Sequence, residues 1–465
     1  DPGDSSTAGG INYTYIVNNA QLGDSVSITL SAADVTGTQV AYLGHRIVIL
    51  SGAGVGQYGL ISSYNNVTKI ATVEREVDGT AGWEHFYPGY PIANVLNAST
   101  KYAIEPRVVV PEPAFASSVK TAPHTIDALT ASGNTFISTT TNAISYSANA
   151  GTTWSSATGD VTGNWHNIKA MPRTSYVMAF QSSISTTAGR SSDTGQTWTN
   201  VTLSNPAGTI WLDVAYKSDK WIAISSGSAT DTSISTNNGS TWTAGTTLSG
   251  EHTSIAYGNG IFVAISPGNS FSTTTDGTTW STRTVPVTSN WSDIKYANGR
   301  FVAVGTSDAA IIYSFDGITW YEAYINVTNL QDSSTGTWTK VAYSSGVWVC
   351  VNETDETIIT SQCGSIWSSL LDDSTTKVFA TTGPYKFIAG AETTSGMPVW
   401  LGSKGTADAS SVSYGAKAFV RAVIGNSRVS EFKIYDPGSG LASAPNITIY
   451  DYANTGDVTY DVRIS

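Results

Sequence analysis

An all-β chain built around a ring of repeated sheets is what this sequence predicts, and three observations carry the prediction. Six tryptophans, Trp154, Trp198, Trp242, Trp280, Trp320 and Trp367, each close a short Ser/Thr-rich box and recur at intervals of 44, 44, 38, 40 and 47 residues, a period in the range of a propeller blade. A second phrase, two apolar runs flanking a Gly/Asn turn, precedes each box by about 25 residues. The helical period is missing almost everywhere.

The chain opens with residues 1–112, a separate β domain with strand-like runs at Tyr13 to Val17, Ser25 to Leu30, Arg46 to Leu50, Gly59 to Ser62, Lys69 to Val73 and Tyr102 to Val110. The stretch Val110-Pro111-Glu112-Pro113 marks its exit. Residues 113–402 then hold the repeats. The hairpin phrase is clearest in Ile255 to Ile265, around Asn259-Gly260, and in Ile294 to Val304, around Asn298-Gly299. Asn-Gly between apolar runs is a tight-hairpin signal because both turn residues tolerate positive φ. The phrase is also traced at Leu129 to Ile137, Ile168 to Phe180, Val214 to Ile224, Val341 to Val351 and Val378 to Ile388, giving seven hairpins for six boxes. The expectation is therefore a seven-bladed propeller, with Met397 to Leu401 as the outer strand of the seventh blade and residues around Ala114 to His124 closing the ring, since closure removes exposed edges. Residues 403–465 form a small β module with strands at Ala416 to Ile424, Val429 to Tyr435 and Ile447 to Tyr450. It is too short to bury much core alone.

Each box runs from a Ser or Thr through Asn149, Asp193, Asn237, Asp276 or Asp316 to a Gly, and then to its Trp; the sixth has Cys363 in the acidic place. The side-chain oxygen caps its own turn, the Gly takes positive φ and the Trp plugs the gap between sheets. This pattern resembles the Asp-box of sialidase-type and related β-propellers. The resemblance speaks to architecture. Sialidase chemistry would require an arginine triad, a Tyr–Glu nucleophile pair and an acid/base on the central rim. The only arginines between 113 and 402 are Arg173, Arg190, Arg283 and Arg300, at non-equivalent places in the repeat.

The flanks carry a second resemblance. Ser51 to Ile61, Tyr64 to Val73, Asp78 to His85, Ile104 to Arg107 and the C-terminal Asp436 to Pro445 are similar to segments of virion structural proteins of tailed bacteriophages, particularly contractile-tailed phages of marine cyanobacteria. This implies a virion component (tail fibre, tail accessory or decoration protein) on the particle surface. It would associate with other virion proteins as a homo-oligomer, with its propeller displayed for adhesion to host-surface glycans. The alternative is a glycan-cleaving propeller enzyme, for which Asp213, Asp293, Glu322, Asp332 and Glu353 are the candidate carboxylates. No catalytic residue is assigned.

The best binding candidate is a ring. Three residues before each first strand of the hairpin phrase, the repeats place Ile126, Trp165, Trp211, His252, Trp291, Trp338 and Thr375 in equivalent positions. The indoles either line one face for stacking on sugars or wedge between blades. The longest loop, Tyr321 to Thr337, adds Glu322, Tyr324 and Asp332. A net charge of -12 argues against nucleic acid, and no apolar run is long enough for membrane insertion. The five histidines are scattered, so neither a metal nor a cofactor is expected. Cys350 and Cys363 could pair only if strand and turn are adjacent, which stays open.

Overall fold

In a computed structural model, the structure describes residues 16–33, 42–75, 79–85, 92–93, 95–105, 115–149, 151–171, 174–204, 210–217, 220–227, 229–307, 310–326, 337–344, 347–352, 358–361, 364–369, 387–392, 398–403, 408–414, 419–425, 428–436, 447–451 and 460–464. Every regular element among them is a β-strand. The chain divides into two compact units: one spans Ala114–Gly415, with Asp1–Asp4, and the other comprises Ser5–Pro113 and Ala416–Ser465.

The first unit is a propeller-like ring of sheets. Six sheets each come from one sequence repeat, and each begins with an innermost strand: Ala128–Ser132, Trp165–Ala170, Trp211–Lys217, Ser254–Gly258, Trp291–Ala297 and Trp338–Ser344. Each of these strands contacts the next, and Phe387–Glu392 of a further sheet touches both Trp338–Ser344 and Ala128–Ser132, so the cycle returns to its start. That further sheet differs in kind. It carries no Trp-closed box, and its order is Phe387–Glu392, Pro398–Ser403, Asp408–Tyr414 and then Phe115–Thr121 from the other end of the ring's chain.

The expectation of seven blades is thus corrected to six self-contained sheets and one composite sheet, in which Phe115–Thr121 closes the ring as expected. Met397 to Leu401, expected as an outer strand, falls instead on the second strand in, Pro398–Ser403, because Asp408–Tyr414 and Phe115–Thr121 take the outer places. The ring also runs past 402, since Asp408–Tyr414 pairs with Phe115–Thr121 along its whole length. Most of the proposed hairpin Val378 to Ile388 lies outside the described residues.

The other hairpins fall where the sequence put them. Asn259 and Gly260 take φ of 46° and 82°, and Asn298 and Gly299 take 49° and 70°, so both central residues are left-handed as the strand twist requires. Two strands add to outer edges in parallel: Thr158–Gly159, leaving the first sheet, joins Thr197–Thr202 of the second, and Tyr324–Asn326, leaving the fifth, joins Ile366–Ser369 of the sixth.

The core of the ring lies between sheets. Met178, Phe180, Trp211, Trp221 and Trp242 fill the gap between the second and third, and Val263, Phe271, Trp291, Phe301 and Trp320 fill that between the fourth and fifth. The boxes seal these layers at the periphery. In the first, Ser147 Oγ accepts from Gly151 N–H at 3.0 Å, Asn149 Oδ1 accepts from Thr153 N–H at 2.8 Å, and Trp154 Nε1 donates to Gly151 O at 3.1 Å. The same bonds recur around Asp193 and Asn237. Asp276 and Asp316 accept two successive N–H groups each at 2.7–2.8 Å. The six turn glycines have φ between 69° and 85°. Several sit on the preceding sheet: a Cβ at Gly195 would meet Ile137, at Gly277 Ile222, and at Gly317 Ile261. At the closing seam, a Cβ at Gly151 would meet Leu401 and Lys120, and Lys120 Nζ donates to Thr152 Oγ1 at 2.8 Å.

In the second unit, Ile16–Asn19, Lys101–Glu105, Arg46–Ser51, Gln57–Tyr64, Ile70–Glu74, Ser27–Thr29 and Leu22–Gly23 form one sheet in that order, packed through Ile28, Ile47, Ile61, Trp83 and Tyr102. Phe419–Gly425 pairs with Arg428–Asp436, and Ile447–Asp451 with Tyr460–Ile464, the last a strand the sequence reading missed.

Candidate functional site at the ring axis

The predicted aromatic ring is real as an arrangement but closed as a surface. Trp165, Trp211, His252, Trp291 and Trp338 recur in equivalent places, four opening innermost strands and His252 two residues ahead of one. All five are at most 2% exposed, which corrects the sugar-stacking reading: a stacking platform needs an open face. They are wedges. Trp165 Nε1 donates to Val161 O at 2.9 Å and Trp291 Nε1 to Gly268 O at 3.0 Å. The His252 ring nitrogens lie 3.2 Å from Gly250 O and 2.9 Å from Ser272 Oγ, and burial pushes its pKa down against the pull of the Gly250 carbonyl.

A register shift follows each of the four tryptophans, between Trp165/Asn167, Trp211/Asp213, Trp291/Asp293 and Trp338/Lys340. A bulge re-aims the side chains beyond it, and here it turns polar groups toward the next sheet. Asp213 is buried at 3% exposure. Its Oδ2 accepts from Lys169 Nζ at 2.9 Å, Ser254 Oγ at 2.6 Å and Ile255 N–H at 3.1 Å, and its Oδ1 from Val214 N–H at 2.8 Å. Asp293 repeats the stitch, Oδ2 accepting from Val341 N–H at 3.1 Å. Hydroxyls add smaller ties: Thr253 Oγ1 to Trp291 O and Ser292 Oγ to Trp338 O, both 2.8 Å. Innermost strands have one edge without a β partner, and these side chains satisfy backbone groups there.

Three lysines join the two aspartates. Burial works against the charge of Lys169, but attraction from Asp213 and then Asp293 outweighs it and leaves its pKa raised. For Lys295 burial wins: its pKa is lowered, with Asp293 and Asp213 opposing and Lys169 and Lys340 reinforcing the shift. Lys169 and Asp213 belong to the second and third sheets, whereas Lys295 and Lys340 belong to the fifth and sixth. All four stand on innermost strands of the ring.

The remaining candidates are dispersed. Glu322 is exposed on the outermost strand of the fifth sheet, and Tyr324 is half-buried on the strand added to the sixth. Neither belongs to the axial cluster. Asp332 and Glu353 lie outside the described residues. Cys350 is buried and unpaired, its thiol held well above its usual pKa by burial and then by Asp293, so it is no ready nucleophile; Cys363 is outside the described residues. Sequence reasoning named Asp213 and Asp293 but missed Lys169, Lys295 and Lys340. The signal was present as Trp-x-Asn-x-Lys at 165–169 and Trp-x-Asp-x-Lys at 291–295.

No family model and no curated protein matches the chain. Solved structures similar to it include YCF48 bound to D1 peptide, 15% identical over 66% of this chain and 98% of that one, with a TM-score of 0.48. YCF48 from Cyanidioschyzon merolae, 15% identical over 64% of this chain and 98% of that one, scores 0.46. The computationally designed Ika8 protein, 14% identical with the same coverage, scores 0.44.

Proposed function

We propose that the protein is a non-enzymatic structural component of a bacteriophage particle, a tail fibre, tail accessory or decoration protein, whose propeller is displayed for adhesion to host-surface glycans. The virion assignment rests on the resemblance of the flanking segments. The non-enzymatic reading is supported by one observation above the others: Asp213, one of the candidate carboxylates for glycoside chemistry, is committed to Lys169, Ser254, Ile255 and Val214. A glycosidase needs a carboxyl pair free to exchange a proton or attack the anomeric carbon. Adhesion would be polyvalent across sister subunits, so weak single contacts suffice.

Imaging an intact particle with a labelled antibody against residues 114–415 tests the location, with label on the particle surface expected. A glycan array paired with a hydrolysis assay on the same glycans tests the activity. Retention without cleavage is the expected result, and turnover that survives purification would replace adhesion with the enzyme reading.

A further inference from the structure

We propose that acid loosens the ring at one joint, the seam between the third and fourth sheets, with His252 as the trigger. The wedge position that opens an innermost strand holds Trp165, Trp211, Trp291 and Trp338 in four of the sheets, and an indole has no proton to gain. In the fourth sheet His252 holds that position, ahead of Ser254–Gly258, and imidazole is the side chain whose charge changes near neutral pH. It is 1% exposed. Gly250 O, 3.2 Å from Nδ1, can only accept, so Nδ1 carries the proton and Nε2 accepts from the Ser272 hydroxyl at 2.9 Å. A second proton has to sit on Nε2, which reverses the Ser272 bond and puts a full positive charge in a buried gap.

Nothing charged is placed to receive it. The charged groups on the surrounding elements are Glu251 beside it, Arg283 in its own sheet, Asp213 and Lys217 of the third sheet, and Asp293 and Lys295 of the fifth. None of them bears on His252, which burial pushes down and only the Gly250 carbonyl opposes; the nearby tyrosines titrate far above this range. The joint follows at once. Thr253 N–H donates to Ile265 O at 2.9 Å, Ser254 Oγ and Ile255 N–H donate to Asp213 Oδ2 of the third sheet at 2.6 and 3.1 Å, and Thr253 Oγ1 donates to Trp291 O of the fifth at 2.8 Å. An opened strand returns the imidazole to its ordinary 6.5, whereas the closed one holds it lower. The closed joint is therefore at full strength above that pH and weakens as the pH falls from there toward the folded pKa.

Amide exchange on the full chain at pH 7.5 and pH 5, corrected for intrinsic rates, tests this. Protection at Thr253 and Ile255 should fall about tenfold or more on acidification. Val341, whose N–H also donates to a carboxylate, Asp293, but behind a tryptophan wedge, should keep its protection. His252→Gln, or His252→Trp if circular dichroism shows the first to be unfolded, should remove the response, and His166→Gln in the second sheet should leave it in place. An equal loss at Val341, or a loss at Ile255 that survives in the folded His252 variant, would assign the response to the carboxylates and overturn the proposal. Protection at Thr253 and Ile255 that ignores pH in the unaltered chain would overturn it as well.

Discussion

Aspartate does opposite work at the periphery and at the axis of the ring. In the outer turns Asp193 bonds residues two to four positions away: Ser191, Gln196 and Thr197. At the axis Asp213 reaches Ser254 and Ile255, about forty residues on and in the next sheet. The first arrangement can form within a single repeat, whereas the second exists only when two sheets are docked. Local turns therefore define the blades, and axial side chains define the ring.

Breaking the axial stitch has the largest expected effect. Asp213→Ala leaves the Lys169 ammonium, a hydroxyl and two backbone N–H groups without their acceptor, and should cost about 3–5 kcal/mol, seen as a drop in the urea midpoint of the ring. Next is the seal between sheets. Gly317→Ala places a Cβ 2.8 Å from Ile261 Cγ2 and 2.9 Å from Val263 Cγ2 at φ +71°, at an expected cost of about 1–3 kcal/mol. Asp193→Ala in a partly exposed turn should cost about 1 kcal/mol. Ser292→Ala, removing one hydroxyl tie to Trp338 O, should cost about 0.5 kcal/mol.

The two regions also differ in sign with pH. Burial opposes the charge of Asp193, but the Thr197 hydroxyl and N–H, Ser191 and Gln196 overcome it and lower its pKa. Its folded pKa lies below the unfolded value of 3.8, so its contribution is present above that pH and is lost as pH falls through the folded pKa. Lys295 has a folded pKa below its unfolded 10.5, so its charge weakens the fold at neutral pH and the penalty fades as pH rises past the folded pKa. Lys295→Met should therefore raise the melting temperature at pH 7, and the gain should shrink toward pH 10.5. An unchanged or lower melting temperature would mean that the axis neutralises Lys295 by other means.

The same contrast explains what could be read from sequence. The boxes and the Asn259-Gly260 and Asn298-Gly299 hairpins were legible because their hydrogen bonds and positive φ values lie within a few residues. The composite sheet was half legible. Closure by the segment before His124 was expected, but Asp408–Tyr414 is Ser-rich and weakly patterned, and its place depends on Phe115–Thr121 nearly three hundred residues away. Trp165, Trp211, Trp291 and Trp338 were found as a repeat, yet a repeat alone does not say whether a wedge or a platform recurs; burial decides it. Lys169 escaped because its partner Asp213 lies on another sheet.

Native-state amide exchange on Asp213→Ala and Asp193→Ala, against the unaltered chain, tests the central claim most directly. The account predicts that Asp213→Ala lowers protection at Ile255, in the neighbouring sheet, beyond the change in global stability, while Asp193→Ala releases only Gln196 and Thr197 in its own turn. Undiminished protection at Ile255, or loss spreading from Asp193 into adjacent sheets, would contradict it.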